Sequence, residues 1–313
     1  MENIRKKIKL NKKNEFDVIS IGSNAVDAIC VLPQFPEYNK KLRMNDFEID
    51  GGGQASTAAV ACSKLGLKTR YIGKVGDDIF GRYAIERLIA ENVDVEGVLV
   101  KQNAKTQFAV IMLEKNIGER TIIWNRDDAL ELLASDLDKD IICSGKVLLI
   151  GNSHPLATKQ AIEWAEKEDM LIVMDAERVE EHTKDILPHV DVLIGDSEFC
   201  KLISQEKDDK EALIKTKDLG PKIVGSTLGE NGSIFYDGNN FYTSKAFNIN
   251  TIDTTGAGDV FHAAFIRALF EDWNLQKTSD FSNAVAAIKC TDLGGRKAIP
   301  GFNEALKFLS ENI

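Results

Sequence analysis

No stretch of this 313-residue chain approaches the roughly 18 consecutive apolar residues that a membrane-crossing helix needs. The N-terminal segment MENIRKKIKLNKKNE is basic but has no apolar core, so it does not read as a secretory signal and is expected to be a short solvated tail. Cysteine is sparse. Cys30, Cys62, Cys143, Cys200 and Cys290 are odd in number and never in C-x-x-C spacing, which excludes a disulfide framework or a zinc site and points to a reducing, cytoplasmic setting. Only four histidines occur, at 154, 182, 189 and 262, with no H-E-x-x-H spacing; they read as incidental, with His154, just after an apolar run, the one to watch. Positive charge is also short: 39 Lys and Arg against 49 Asp and Glu leave a net charge of −10. A nucleic acid or an anionic membrane would need a basic footprint, so neither is an expected partner and a small molecule is.

What is present, in a chain 43% hydrophobic and 28% charged, is an alternation. DVISIG (17–22), TRYIGKVG (69–76), KVLLIG (146–151), MLIVMD (170–175), VDVLIG (190–195) and KIVGS (222–226) are short apolar, β-branched runs. Among them stand helical patterns: QASTAAVACSKLG (54–66), FGRYAIERLIAEN (80–92), LATKQAIEWAEKE (156–168) and EALIKTKDLG (211–220). This predicts βα units around a parallel sheet, an α/β fold, whose strand ends carry the Asp, Gly, Ser and Asn residues suited to ligands. Segments 28–50 and 105–126 break the rhythm and read as strand pairs joined by polar turns, four strands that would form a small second sheet. Its apolar stretches, such as FAVIML and TIIW, need covering, so it is expected both to cap the ligand edge and to contact a second subunit.

The stretch DTTGAGDVFHAAF (253–265) carries the chemistry. If Gly256 opens a helix with Val260, Phe261, Ala264, Phe265, Ala268 and Leu269 as its apolar face, the backbone N–H groups near Ala257 and Gly258 are left unpaired and form an anion hole. Small residues there let a phosphoryl group reach the backbone. Asp259, in the first turn, would be held ionised by the helix dipole and placed to take a proton from a hydroxyl, although an acid in a first turn also caps a helix by itself. Asp253, Thr254 and Thr255 would either cap the helix or hold a cation. A second cluster, Gly51, Gly52 and Gly53 followed by Ser56, would let backbone and hydroxyl touch a ligand, and Asp27, just past the first strand, could accept two hydrogen bonds from a polyol. Thr227, Gly229 and Gly232 form a loop able to pass close to a nucleotide. Neither G-x-x-x-x-G-K-[ST] nor G-x-G-x-x-G is matched at either glycine cluster.

Taken together, GGGQASTAAVACSKLG, IGKVGDD, STLGENGS and DTTGAGDVFHAAF, spread over nearly the whole chain, resemble the ribokinase-like (PfkB) carbohydrate kinases. The resemblance implies one kinase domain over residues 1–313, a three-layer αβα sandwich with a small β-sheet lid from about 28–50 and 105–126, and a homodimer formed through that lid. It implies ATP-dependent phosphorylation of a ketose or sugar-acid hydroxyl, with Asp259 as base and Gly256, Ala257 and Gly258 as anion hole. Asp27, Lys41, Gly52, Gly53, Ser56 and Asn125 would then line the sugar, and Thr227, Gly229, Gly232 and Asn283 would border ATP. Glu198 would orient Mg2+, while Asp253, Thr255 and the Gly294 backbone would hold a monovalent cation such as K+. Three departures stand out: Ala25 and Ser56 replace asparagines that the family often has, and the N-x-x-E motif survives only as Gly195-Asp196-Ser197-Glu198. The string KCTDLGGRKAIP (289–300), with the first glycine cluster, is most similar to the sulfofructose kinase branch, where Lys41 would meet a sulfonate; the arginine expected after 146–151 is replaced by Asn152, Ser153 and His154. A nucleoside kinase, stacking its base on Phe35, Tyr38 or Trp124, and a non-catalytic binding protein of the same fold are the alternatives.

Overall fold

The computed structural model describes residues 1–11, 14–115, 120–151 and 153–312, so Asn152 and residues 116–119 of the second lid segment lie outside the described residues. The chain opens with α1 (Glu2–Leu10), then β1 (Phe16–Ile21), β2 (Ala25–Leu32), β3 (Asp46–Gly52), α2 (Gln54–Lys64), β4 (Thr69–Gly76), α3 (Ile79–Ala90) and β5 (Asp94–Lys101). Next come β6 (Phe108–Glu114), β7 (Arg120–Asn125), α4 (Lys139–Ile142), β8 (Gly145–Ile150), α5 (Pro155–Lys167), β9 (Leu171–Ala176), α6 (Thr183–Ile186) and β10 (Val192–Gly195). The last part holds α7 (Phe199–Ser204), α8 (Asp209–Asp218), β11 (Ile223–Thr227), β12 (Ser233–Tyr236), β13 (Phe241–Ser244), α9 (Ala257–Leu269), α10 (Leu275–Lys289) and α11 (Phe302–Asn312).

Among the described residues, a nine-stranded sheet runs β13-β12-β11-β10-β9-β8-β1-β4-β5, parallel from β5 to β11 and closed at one edge by the antiparallel hairpin β12–β13. Side-chain alternation splits its core in two. Val18, Val147 and Leu149 face α2, α9 and α10, whereas Ile19, Ile21, Leu148 and Ile150 face α5, α7 and α8. Local signals set the helix starts: Asp78 accepts from Gly81 N at 2.8 Å, Asn274 accepts from Lys277 N at 2.8 Å, and Pro155 opens α5. The architecture is the expected αβα sandwich.

The N-terminal segment corrects its reading as a solvated tail. Ile4 and Ile8, one helical turn apart, are 2% and 7% exposed and join the core, while Lys7 Nζ pairs with the buried Asp191 at 2.7 Å. The basic residues obscured this short apolar stripe. Helices α9 and α10 and the edge strands β5, β12 and β13 complete what the alternation outlined.

The small sheet has the order β3-β2-β6-β7, with β2–β6 parallel and its other two pairs antiparallel. Its register decides which side chains share a face. Asp27 pairs with Asp50 on one side and Ala109 on the other, and Ala109 pairs with Trp124, so all four point the same way as Ile111 and Ile122. The opposite face carries Phe47, Ile49 and Ile123, which are 50%, 40% and 58% exposed. Apolar side chains thus stand on both faces of this sheet. Helix α3 covers part of the outer face, where Tyr83 donates to Ile49 O at 2.8 Å and Phe80 packs on Phe108.

Candidate active site

Between the lid and the C-terminal strand ends lies a cleft of about 770 Å³, lined by Asp27, Ala109, Ile111, Ile122 and Trp124 from the lid and by Gly256 and Asp259 from the sandwich. Gly256 is the N-cap of α9 with φ 73°, a left-handed position that suits glycine, and a Cβ there would come within 3.0 Å of Gly295 Cα. A Cβ on Gly258 would meet only open space. The Ala257 N–H, expected to be unpaired, donates to Thr254 O at 3.2 Å, closing a turn before the helix, so the start of α9 presents its bare backbone at Gly258, and Asp259 stands beside it in the first turn.

Asp259 is not held ionised in the simple way that the helix dipole alone suggests. Burial raises its carboxyl well above the usual range, and the charges of Asp175 and Glu177 push it further, against Arg296. Asp175, at the end of β9, is raised too, chiefly by burial, with His262 opposing. His262, which its spacing marks as incidental, instead ties the site together: Nδ1 lies 2.6 Å from Gly258 O, and Nε2 lies 3.1 Å from Ile194 O and 3.3 Å from Asp175 Oδ1. His154 is a structural group instead. Its Nδ1 accepts from Leu132 N at 3.2 Å, and burial, with Arg126 and Lys74, pushes it down to about 4.

Of the triple glycine, Gly53 lines the cleft, while Gly51 and Gly52 are packed against protein groups. A Cβ on Gly51 would fall 2.2 Å from Arg296 Nη1, and one on Gly52 would fall 2.1 Å from Asp27 Oδ2. The chain thus threads its barest peptide between a buried guanidinium and a buried carboxylate. At Gly53, φ 89° and backbone of residues 23–25 within 2.8 Å of any Cβ leave room for glycine only. Arg296, fully buried, donates from Nη2 to Gly52 O (2.9 Å) and Ser56 Oγ (2.8 Å) and from Nε to Thr57 Oγ1 (3.3 Å). Ser56 in turn donates to Gly52 O at 2.5 Å, so its hydroxyl is spent on this network and does not line the cleft. Thr57, one residue on, does.

Other expected contacts also move. Lys41 is exposed on the loop between β2 and β3, away from the cleft lining. Asn125 pairs with Phe108 and so sits on the outer face of the lid; its neighbours Trp124 and Arg126 line the cleft in its place. Gln54, Glu177 and Arg178 line it as well, and none of them stood out in the sequence. At the nucleotide end, Thr227 donates to Gly195 O at 3.3 Å and Gly229 has φ 57° with open space at its Cβ, so the β11–β12 turn is bare on one side. Gly232 is packed against Ser244 O, and Asn283 spends its amide on Ser233 Oγ (2.9 Å) and Ser244 O (3.4 Å), bracing the β12–β13 hairpin rather than bordering a base.

Glu198 is exposed at the start of α7, where Asp196 Oδ1 caps the turn by accepting from Glu198 N and Phe199 N at 3.0 and 2.8 Å. Among the described residues no cluster of three His, Cys, Asp or Glu could cage a metal. Asp253, Thr255 and Gly294 do meet: Asp253 Oδ1 accepts from Thr255 N (2.8 Å) and Oγ1 (2.7 Å), and Oδ2 accepts from Gly294 N (2.9 Å).

Burial raises the Asp27 carboxyl to about 6, with Arg296 opposing and Asp50 and Asp253 adding. Below that pH the group keeps its proton and loses one of its acceptor positions. The KM for a polyol acceptor is therefore expected to fall roughly tenfold as pH rises from about 5 to about 7, while the stability linked to this group, whole below about 4, is lost through about 6. A flat KM profile across that window would remove Asp27 from the acceptor site.

Comparison with known proteins agrees with this fold. The chain overlays a ribokinase of Arabidopsis thaliana solved with ribose and ATP at a TM-score of 0.82, with 23% identity and 94% and 98% of the two chains covered. An E. coli chain assigned to ribokinase II and solved with ATP and Mg2+ gives 0.85 at 21% identity, covering 95% and 100%. The family model for pfkB family carbohydrate kinases matches residues 15–301, and the chain belongs to that family. It is an ATP-dependent carbohydrate kinase. Its curated relatives include fructokinase-2 of Solanum lycopersicum (30% identical over 284 residues, 82% of this chain and 86% of the relative). They also include 5-dehydro-2-deoxygluconokinase of Clostridium botulinum (26%, 97% and 96%) and a nucleoside kinase of Methanothermobacter thermautotrophicus (27%, 93% and 94%). Among the described residues no helix is long and apolar enough to cross a membrane.

Proposed function

We propose that this kinase phosphorylates a hydroxyl of a ketose or sugar acid. The observation that carries the reading is Asp259 beside the bare backbone of Gly258, in one cleft with Asp27. Asp27 accepts hydrogen bonds from the acceptor's hydroxyls and orients it. Asp259, its proton affinity raised by burial and then by Asp175 and Glu177, takes the proton of the attacking hydroxyl. The open backbone at Gly258 and Gly229 fits a nucleotide triphosphate, which when bound with Mg2+ supplies the transferred phosphoryl group; the Gly258 N–H, Thr227 and Glu198 would hold it, joined by the Ala257 N–H if its turn bond to Thr254 O opens. Ile111, Ile122 and Trp124 roof the cleft and keep water from the reacting hydroxyl.

The lid is read as an insertion in one kinase unit, and five unpaired cysteines suit a cytoplasmic setting. The exposed Phe47, Ile49 and Ile123 support a homodimer through the outer lid face. Sedimentation velocity at micromolar concentration is expected to give a dimer that Ile123→Lys splits into monomers; a monomeric parent would sink this interface.

A nucleoside acceptor is the second reading, favoured by Trp124 on the cleft face, where a base could stack. The exposed position of Lys41 weakens the sulfosugar reading. ADP release from Mg-ATP across ketoses, ketodeoxygluconate, sulfofructose, ribose and nucleosides tests all of these. Turnover confined to nucleosides would overturn the sugar reading.

A further inference from the structure

Lysine is almost never fully buried unless its charge is held. Lys289, the last residue of α10, is 0% exposed, and its Nζ donates to the carbonyl oxygen of Asp253 at 2.8 Å. That carbonyl opens the DTTGAGD loop that leads into α9. Burial pushes the Lys289 ammonium below its usual range, with Arg120 adding, while the carboxylates of Asp253 and Asp259 oppose that shift and favour the charged form.

A monovalent cation expected at this place would join the 252–258 loop to the 290–296 loop by taking oxygens from both. In this chain the two loops are joined directly. Ile252 N and Asp253 N donate to Cys290 O at 2.8 and 3.3 Å, and Gly294 N donates to Asp253 Oδ2 at 2.9 Å. Both carboxylate oxygens of Asp253 and its carbonyl already accept hydrogen bonds, the last from the ammonium. Arg120 of β7 adds a second positive charge close by, bonded to Thr254 Oγ1. The residues present therefore do not fit a potassium ion: the carboxylate and carbonyl oxygens of Asp253 already serve protein donors, and the ion would face two cations.

We propose that the ammonium of Lys289 is the resident cation of this site, fixing the anion-hole loop from behind so that nucleotide binding needs no potassium. The charge comes with the fold. It cannot dissociate, and the loop keeps its shape in any salt.

The test uses the full chain in potassium, sodium and tetramethylammonium chloride at equal ionic strength, with Tm and the Kd for Mg-ATP as readouts. The parent is expected to give one Tm and a Kd equal within about twofold in all three. A rise in Tm specific to potassium, or a Kd tightened roughly tenfold by it, the scale of ordinary site coupling, overturns the proposal. Lys289→Met, which keeps most of the side-chain volume and drops the charge, is expected to weaken Mg-ATP roughly tenfold in tetramethylammonium. A variant as tight as the parent there overturns it equally. If Lys289→Met does not fold, the salt comparison on the parent decides alone. The inference rests on the reading that Mg-ATP binds at α9; absence of Mg-ATP binding in every salt would fault that reading, and the melting comparison would still judge Lys289.

Discussion

Replacing Asp259 by asparagine will lower kcat roughly 10²–10⁴-fold, the usual scale for loss of a general base, with little change in the Kd for Mg-ATP. The same substitution will stabilise the fold. Asp259 has its carboxyl raised by burial and by Asp175 and Glu177, so ionising it works against folding. Stability from the protonated group is complete below the unfolded Asp value of about 4 and is lost as pH rises through the raised folded value. The asparagine variant, neutral throughout, should therefore match the parent in Tm near pH 4 and exceed it increasingly toward pH 8. Activity within about twofold of the parent, or a Tm gain that does not grow with pH, would remove Asp259 from its role. The combination separates a working base from an ordinary helix cap, whose loss lowers Tm.

Arg296→Met should cost about 3–5 kcal/mol, the range for stripping one partner from a buried charge cluster. Fully buried, the guanidinium opposes the burial of Asp27 and holds Gly52, Ser56 and Thr57 by three hydrogen bonds. Without it the Asp27 carboxyl rises beyond about 6 and keeps its proton at neutral pH, so acceptor KM should climb together with the loss in urea midpoint. Adding Asp50→Asn removes a second buried carboxylate from the same cluster and should recover part of the stability. Strict additivity of the two substitutions would mean that Arg296 acts through packing alone.

The sandwich was legible because parallel strands buried on both faces write themselves as uninterrupted apolar runs, and KVLLIG and VDVLIG became β8 and β10. The glycine-flanked start of α9 was legible for a related reason: a glycine at φ 73° and another facing open space leave a local signature in the string itself. Lid pairing followed from polar turns between β-branched runs, but its register did not, and one residue of register separates Asn125 on the outer face from Trp124 in the cleft. Arg296, His262 and Lys289 escaped notice because each acts across a long span of chain. Arg296 bonds to residues more than 230 positions away, and His262 reaches Ile194 and Asp175. Nothing near them in the sequence marks a buried cation. Ile4 and Ile8 were hidden by the lysines that flank them, since two apolar residues in a basic segment leave a weak stripe.

The glycine peptide threaded between Asp27 and Arg296 also divides the cleft into parts that can and cannot diversify. Any side chain at Gly51 or Gly52 meets one of those two charged groups, and Arg296 in turn adjoins Gly295, which packs against Gly256 of the anion hole. Changes on that wall are transmitted to the chemistry that every acceptor shares. Gln107 and Trp124 line the opposite wall from the lid, and among the described residues it is Arg120, not either of them, that bonds to the loop before α9, so both can change with less effect on it. Exchange of one acceptor for another along this lineage would therefore run through the roof of the cleft, while its glycine floor stays fixed.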